Sequence, residues 1–328
     1  MPFAMRLRAS AVACLAAAVL AAGCGKQATR VSGPAGDNAG EHLLVFRSDR
    51  LGAASHYDIL LYDLDQSGYR SLSGLNTASD ESEPCLSNDG NLVCFASDRP
   101  GAGGSGIYVY ERLSQALLST PSLNTAANET HPRFAFDSVE LLFARDSAGV
   151  KRLRMYTPLG DSLIRLPGID SPGASDDEAP APDLHGNRIA FQSNRSGRTH
   201  VYVWDSGTGV LAIPDLVSDS SDIEPALSAD GRWLAFASNR SGGAGGYDVY
   251  LYDLAGRVFV PLVSANTAGD ERHPGVSADG NILYFQSRPD AATKWDLWQY
   301  SRFSSSRTQP AGLPSADGDD VQPYLRWR

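Results

Sequence analysis

Residues 221–240 read S-D-I-E-P-A-L-S-A-D-G-R-W-L-A-F-A-S-N-R, and close copies stand at 80–99 (D-E-S-E-P-C-L-S-N-D-G-N-L-V-C-F-A-S-D-R) and 270–288 (D-E-R-H-P-G-V-S-A-D-G-N-I-L-Y-F-Q-S-R). Five times a proline is followed eleven residues later by a phenylalanine: Pro84/Phe95, Pro132/Phe143, Pro180/Phe191, Pro225/Phe236 and Pro274/Phe285. Successive prolines lie 48, 48, 45 and 49 residues apart, and a further 49 reaches Pro323. The phenylalanine that would answer Pro323 is found near the start of the chain, as Phe46. Such a period means one supersecondary unit repeated six times, in which each copy buries its apolar face only against its neighbours.

Each unit resolves into four strands. The first is expected to follow the proline and to end at a Ser-x-Asp-Gly turn, where glycine supplies the positive φ of a tight hairpin. The second is the apolar run into phenylalanine and serine. A Gly/Ser-rich loop, such as 100–106 or 241–246, leads to a third strand of alternating large side chains, for example Val249 and Leu251, and the fourth is less regular. Four antiparallel strands per repeat make the blade of a propeller. Pro323 and Phe46 stop and resume the repeat in the same register. The segment 321–328 is therefore expected to supply the first strand of the blade whose other three come from 41–75, closing the ring and removing two sheet edges. The fold expected is all-β: a six-bladed β-propeller of four-stranded antiparallel blades.

The bulk composition agrees. The chain has 328 residues with 32 Gly and 19 Pro, 42% hydrophobic and 20% charged, and a formal net charge of −10. Glycine and proline spread along the chain suit many tight turns between short strands. The acidic balance and the lack of a Lys/Arg cluster argue against nucleic acid as a partner.

The N-terminus reads as an address. Arg6 and Arg8 precede an apolar run from Ala9 to Ala22, about 14 residues and short for a bilayer span. Leu20-Ala21-Ala22-Gly23-Cys24 resembles the lipobox of bacterial lipoproteins. That resemblance implies a signal peptide over 1–23, a diacylglyceryl group on the Cys24 thiol, and a flexible tether over 24–40 before the propeller of 41–328. Removal of two arginines takes the net charge from −10 to −12. Gly25 after the cysteine, where an Asp signals inner-membrane retention, favours the outer membrane.

The units D-E-x-x-P-x-x-S-x-D-G-x-x-L-x-F-x-S-D/N-R, followed by D-I/V-Y-x-Y-D, resemble the WD40-like repeat of the TolB propeller family over residues 41–328. The resemblance implies an interaction platform of the bacterial cell envelope, monomeric and facing the periplasm, that holds an envelope or peptidoglycan-associated protein. The chain departs from TolB itself: the tether passes directly into the first blade, with no α/β domain before it.

An acidic residue stands three positions before every repeat proline: Glu81, Glu129, Asp177, Asp222, Glu271 and Asp320. In this register the six are expected to ring one mouth of the central channel. Three uses suit them: capping backbone N–H groups of the inter-blade turn, holding a hard cation such as Ca²⁺, or capturing a basic segment of a partner. His131 and His273, each immediately before its proline, belong near the same mouth, although no histidine pair has a metal-ligand spacing. No G-x-S-x-G elbow, phosphate loop or zinc motif is present, so a non-enzymatic role and no cofactor are expected. The alternative is a propeller hydrolase or lyase acting on a saccharide in the axial pocket, with or without a metal.

Cys85 and Cys94 flank one Asn-Asp-Gly turn. A two-residue loop would oppose them directly, in position for a disulfide, whereas a bulged turn would send them to different faces. Tyr108, Tyr110, Tyr202, Trp204, Tyr250, Tyr252, Trp298 and Tyr300 recur on the third strand and are expected to pack the core and the blade contacts, the alternative being a carbohydrate-stacking platform with several of them exposed on one face.

Overall fold

The computed structural model describes residues 42–50, 56–101, 103–135, 140–170, 173–290, 292–313 and 318–325, all within the compact unit Asn38–Arg328. The signal segment, Cys24 and the tether lie outside the described residues. The strands form six antiparallel sheets of four, each ordered from an inner strand outward. The inner strands are Asp320–Leu325, Glu81–Leu86, Asn128–Ala135, Asp177–Pro182, Asp222–Leu227 and Asp270–Val276, which we number blades 1 to 6. Each packs against the next and the sixth against the first, so they circle a central channel.

Blade 1 is closed by both ends of the repeat array. Its inner strand Asp320–Leu325 pairs with Leu43–Ser48, setting Leu325 opposite Leu44 and Asp320 opposite Ser48. The closure expected from the register is observed.

The core lies between the blades. Second strands such as Trp233–Ser238 are buried along their whole length, because both faces of each sheet meet a neighbouring sheet. At the junction of blades 1 and 2, Val45, Ile59 and Leu61 meet Leu86, Val93 and Phe95; equivalent clusters fill the other five junctions. A side chain of this size contributes roughly 1.5–3 kcal/mol when fully buried. The third-strand aromatics add directional hooks. The hydroxyls of Tyr110 and Tyr300 donate to the Ser73 and Val263 carbonyls of the preceding blade at 2.8 and 2.9 Å, and the Trp204 indole N–H donates to Pro167 O at 3.0 Å. Aromatic rings buried with satisfied polar tips stitch adjacent sheets together.

The Ser-x-Asp-Gly turns behave as their chemistry requires. In the hairpin after Leu86, Ser87 Oγ donates to Asp89 Oδ1 at 2.6 Å, Asp89 accepts from Asn91 N, and Gly90 sits at φ 74°. The equivalent Gly280 is at φ 71°, and a Cβ there would lie 2.5 Å from the Trp233 ring, so both conformation and space demand glycine.

One expectation about the blade is corrected. The inner strand does not start after the proline but at the acidic residue or one residue before it, and the proline lies inside it at a bulge. Around Pro84, Ser82 faces Ala96 and Cys85 faces Cys94, leaving Glu83 and Pro84 together opposite Phe95. Proline, which cannot donate to a ladder, is tolerated inside a strand at such a bulge.

Candidate functional site

The bulge recurs in all six inner strands and builds the channel wall. The residue before each proline takes a left-handed backbone: Gln322 φ 53°, Glu83 54°, His131 54°, Ala179 50°, Glu224 56° and His273 50°. None is glycine, so each holds a conformation that side chains disfavour. The six line one cavity of about 310 Å³ on the propeller axis, together with Arg133, Glu178 and Arg272. Strain of this kind persists where surrounding structure enforces it, and here it aims six side chains at a common space.

A belt of hydrogen bonds fixes these backbones. The left-handed residue's N–H is met by a side-chain oxygen of the preceding blade. Gln322 accepts from Glu83 N at 2.8 Å, Glu83 accepts from His131 N at 2.5 Å, and Glu224 accepts from His273 N at 2.8 Å. Second-strand glutamines complete two further steps: Gln192 accepts from Glu224 N at 2.9 Å and Gln286 from Gln322 N at 2.7 Å. Among the described residues the step from blade 3 to blade 4, at Ala179, carries no such bond. There Lys151 of blade 3 reaches Glu178 of blade 4 instead, and Gln192 Nε2 donates to Glu178 Oε1 at 3.0 Å.

The electrostatics follow from this partnering. Burial works against the Glu178 carboxylate, but His131 and Lys151 outweigh it and hold its pKa below the ordinary range. Burial also opposes the Lys151 charge, and Glu178 more than compensates. The His131 ring Nε2 lies 3.2 Å from Glu83 Oε1. Burial pushes His273 down to about 4, with Arg272, Arg133 and His131 adding to the effect and Glu224 resisting it. His273 is therefore neutral at neutral pH, its Nδ1 3.3 Å from Glu224 but without hydrogen-bond geometry.

The acidic ring stands elsewhere than expected. Glu81, Glu129, Asp177, Asp222, Glu271 and Asp320 are all buried, at most 2% exposed. They do not open onto a mouth of the channel. Each is instead paired with an arginine, as a carboxylate removed from water must be. In blades 1, 2, 4 and 5 the partner is the last residue of the S-D/N-R motif: Arg50, Arg99, Arg195 and Arg240. Blade 3 uses Arg145, two positions earlier in the repeat, and blade 6, with Pro289 where the motif has arginine, uses Arg307 from its outermost strand. Most of these guanidiniums also lie over the repeat phenylalanine and a third-strand aromatic, as Arg99 does over Phe95 and Tyr108. Capping of the turn is present as well: Glu81, Glu129 and Glu271 accept from Thr77, Thr125 and Thr267, both N–H and hydroxyl. Among the described residues no three of His, Cys, Asp and Glu converge on a point where a metal ion would sit.

His131 and His273, expected near one mouth beside the acidic residues, line the cavity, whereas the acidic residues are buried behind it. The sequence reading missed the histidines' partners in the wall: Glu83, Glu224, Gln322, Arg133, Arg272 and Glu178. The available signal was the position before the proline, where the six copies read Gln, Glu, His, Ala, Glu and His while the proline itself never varies. Cys85 and Cys94 are directly opposed across the hairpin, both fully buried thiols; the connection is longer than two residues, with a turn in which Gly90 N–H donates to Ser87 O inside the Ser87–Leu92 pair, and it keeps the same register. Of the aromatics, Tyr110, Tyr252 and Tyr300 are buried, and Tyr108, Tyr202 and Tyr250 stack on Phe95, Phe191 and Phe236.

With this geometry known, comparison with known proteins places the fold. No protein-family model and no curated protein matches the chain. Among solved structures, TolB from Acinetobacter baumannii superimposes with a TM-score of 0.68 at 20% identity, over 89% of this chain and 68% of that one. A TolB-type protein from Agrobacterium tumefaciens follows at TM-score 0.59 and 16% identity, over 87% and 97% of the two chains. Oligogalacturonate lyase from Vibrio parahaemolyticus matches at TM-score 0.52 and 11% identity, over 81% and 73%. The fold is that of the TolB-like six-bladed β-propeller.

Proposed function

We propose that this chain is a lipid-anchored cell-envelope propeller that binds a partner protein at its central channel, as a monomer tethered through Cys24 to the outer membrane. The observation that carries the reading is the channel wall. The repeat position before each proline lines the cavity and differs in chemistry from blade to blade, as do its wall neighbours Arg133, Glu178 and Arg272, whereas the proline and the phenylalanine eleven residues on repeat. A docking surface needs such asymmetry and a scaffold does not. The likeness in fold to proteins named TolB supports a binding role, and the Leu20–Cys24 motif supports the anchor.

The test has two arms. Cys24→Ser in the full chain is expected to release the protein from envelope membranes. Ala179→Trp, which fills the channel from the smallest of the six left-handed wall residues, is expected to abolish recovery of the partner after in-cell crosslinking while leaving the melting temperature close to that of the parent. Undiminished recovery by the channel-filled variant would contradict the reading.

A second reading has its own support: a saccharide-directed lyase or hydrolase in the axial pocket. The His131–Glu83 contact at 3.2 Å is an acid–base arrangement, and an oligogalacturonate lyase shares the fold. Oligosaccharide turnover that disappears in His131→Ala would replace the binding role with this one.

A further inference from the structure

Three glutamates and two arginines line the channel wall, with Lys151 reaching Glu178 from blade 3, and the pairings among them are unequal. Glu83 is engaged by the N–H and imidazole of His131. Glu178 is engaged by Lys151 and Gln192, and Glu224 by Arg272 and the His273 N–H. The acceptors are thus largely consumed.

The donors are not. Arg133 has no carboxylate partner among the described residues: its Nη1 donates to the Pro132 carbonyl at 2.8 Å and the Glu83 carbonyl at 3.5 Å, and its guanidinium lies 5.6 Å from the Tyr324 ring centroid. Across the ring in blade 6, Arg272 Nε and His273 Nδ1 are buried without hydrogen-bond partners. All three residues line the same cavity of about 310 Å³. Planar guanidinium forks match carboxylates in geometry and charge, and a buried donor left unpaired costs free energy that an incoming acceptor recovers.

We propose that the channel is a carboxylate-binding site, in which Arg133 takes the charge of the ligand and the Arg272 and His273 face supplies further donors. The carboxylate comes either from a small free organic acid or from an acidic side chain on a partner segment. The second case rests on the binding role proposed above, and the first does not.

Two probes separate the sources in calorimetric titrations of the folded protein: succinate, and the N-acetylated, C-amidated peptide Gly-Gly-Glu-Gly-Gly. Saturable binding of at least one probe is expected, weakened about tenfold or more in Arg133→Gln. Succinate alone binding assigns the site to a free acid, and the peptide alone to a chain-borne carboxylate. Should Arg133→Gln fail to fold, Arg133→Lys, which keeps the charge and loses the fork, carries the same comparison. The proposal is overturned if neither probe saturates the parent protein, or if the variant binds as the parent does. Partner recovery in cells that is unaffected by Arg133→Gln, with no probe binding, would leave the binding role standing and remove this assignment alone.

Discussion

Arg307, on the outermost strand of blade 6, reaches inward to within 3.3 Å of Glu271 on the innermost strand of the same blade, and its guanidinium lies 4.0 Å from the Trp298 ring centroid on the way. The S-D/N-R motif is broken at Pro289, yet the buried carboxylate keeps its arginine. The acid–arginine pair, not the motif that usually supplies it, is what each blade retains.

Arg307→Met is accordingly expected to destabilise the propeller by about 3 kcal/mol, because it leaves Glu271 buried and unpaired. Arg307→Met/Glu271→Gln should cost less than the sum of the single changes. Urea denaturation of the four members of the cycle measures this, and additive losses would show that the two groups do not interact.

The belt around the channel gives a smaller, directional effect. Gln286→Leu removes the acceptor of the Gln322 N–H and is expected to cost roughly 1–2 kcal/mol. Hydrogen exchange at the Gln322 amide should accelerate, since that bond helps hold the closing strand. Unchanged protection there would place the closure elsewhere.

His273 predicts a pH dependence with a definite sign. Its folded pKa of about 4 lies below the ordinary value of 6.5. Between these two values the unfolded chain binds the proton and the folded one does not, so stability rises with pH across this window. The contribution is complete above pH 6.5 and is lost as pH falls toward 4, by up to roughly 3 kcal/mol. In His273→Gln the difference in melting temperature from the parent should shrink or reverse below pH 5, and a constant offset across that range would refute the assignment.

Cys85 and Cys94 are paired across the hairpin and buried. Both thiols are fully buried, which keeps the folded pair out of reach of an external reagent. A disulfide donor acting on the chain before it folds is expected to join the two, releasing two thiols on the donor and stabilising the fold by about 2–3 kcal/mol. Comparing melting temperatures of protein purified with and without reductant tests it: no difference, with the bond confirmed by intact mass, would contradict the estimate.

The fold was legible because the repeat encodes it several times over. Pro323 and Phe46 fix the ring closure by register alone, and Ser87-Asn88-Asp89-Gly90 fixes a hairpin by local chemistry. The site was legible only in part. Glu81 and its equivalents looked like a charged mouth because sequence gives their register but not the depth at which an arginine buries them. Arg307 was invisible as a partner, since it comes from a different strand than Arg99 or Arg240. Glu83 and Glu224 were passed over because their orientation depends on a left-handed bulge, a backbone state that non-glycine residues do not announce.

The central claim, that the channel wall is the docking surface, is tested most directly by photo-crosslinking from position 179. A benzophenone amino acid at Ala179, on the channel, should give a discrete adduct in intact cells, and one at Phe303, 85% exposed on the outer edge of blade 6, should not. An adduct from 303 alone, or the same adduct from both positions, would contradict the account.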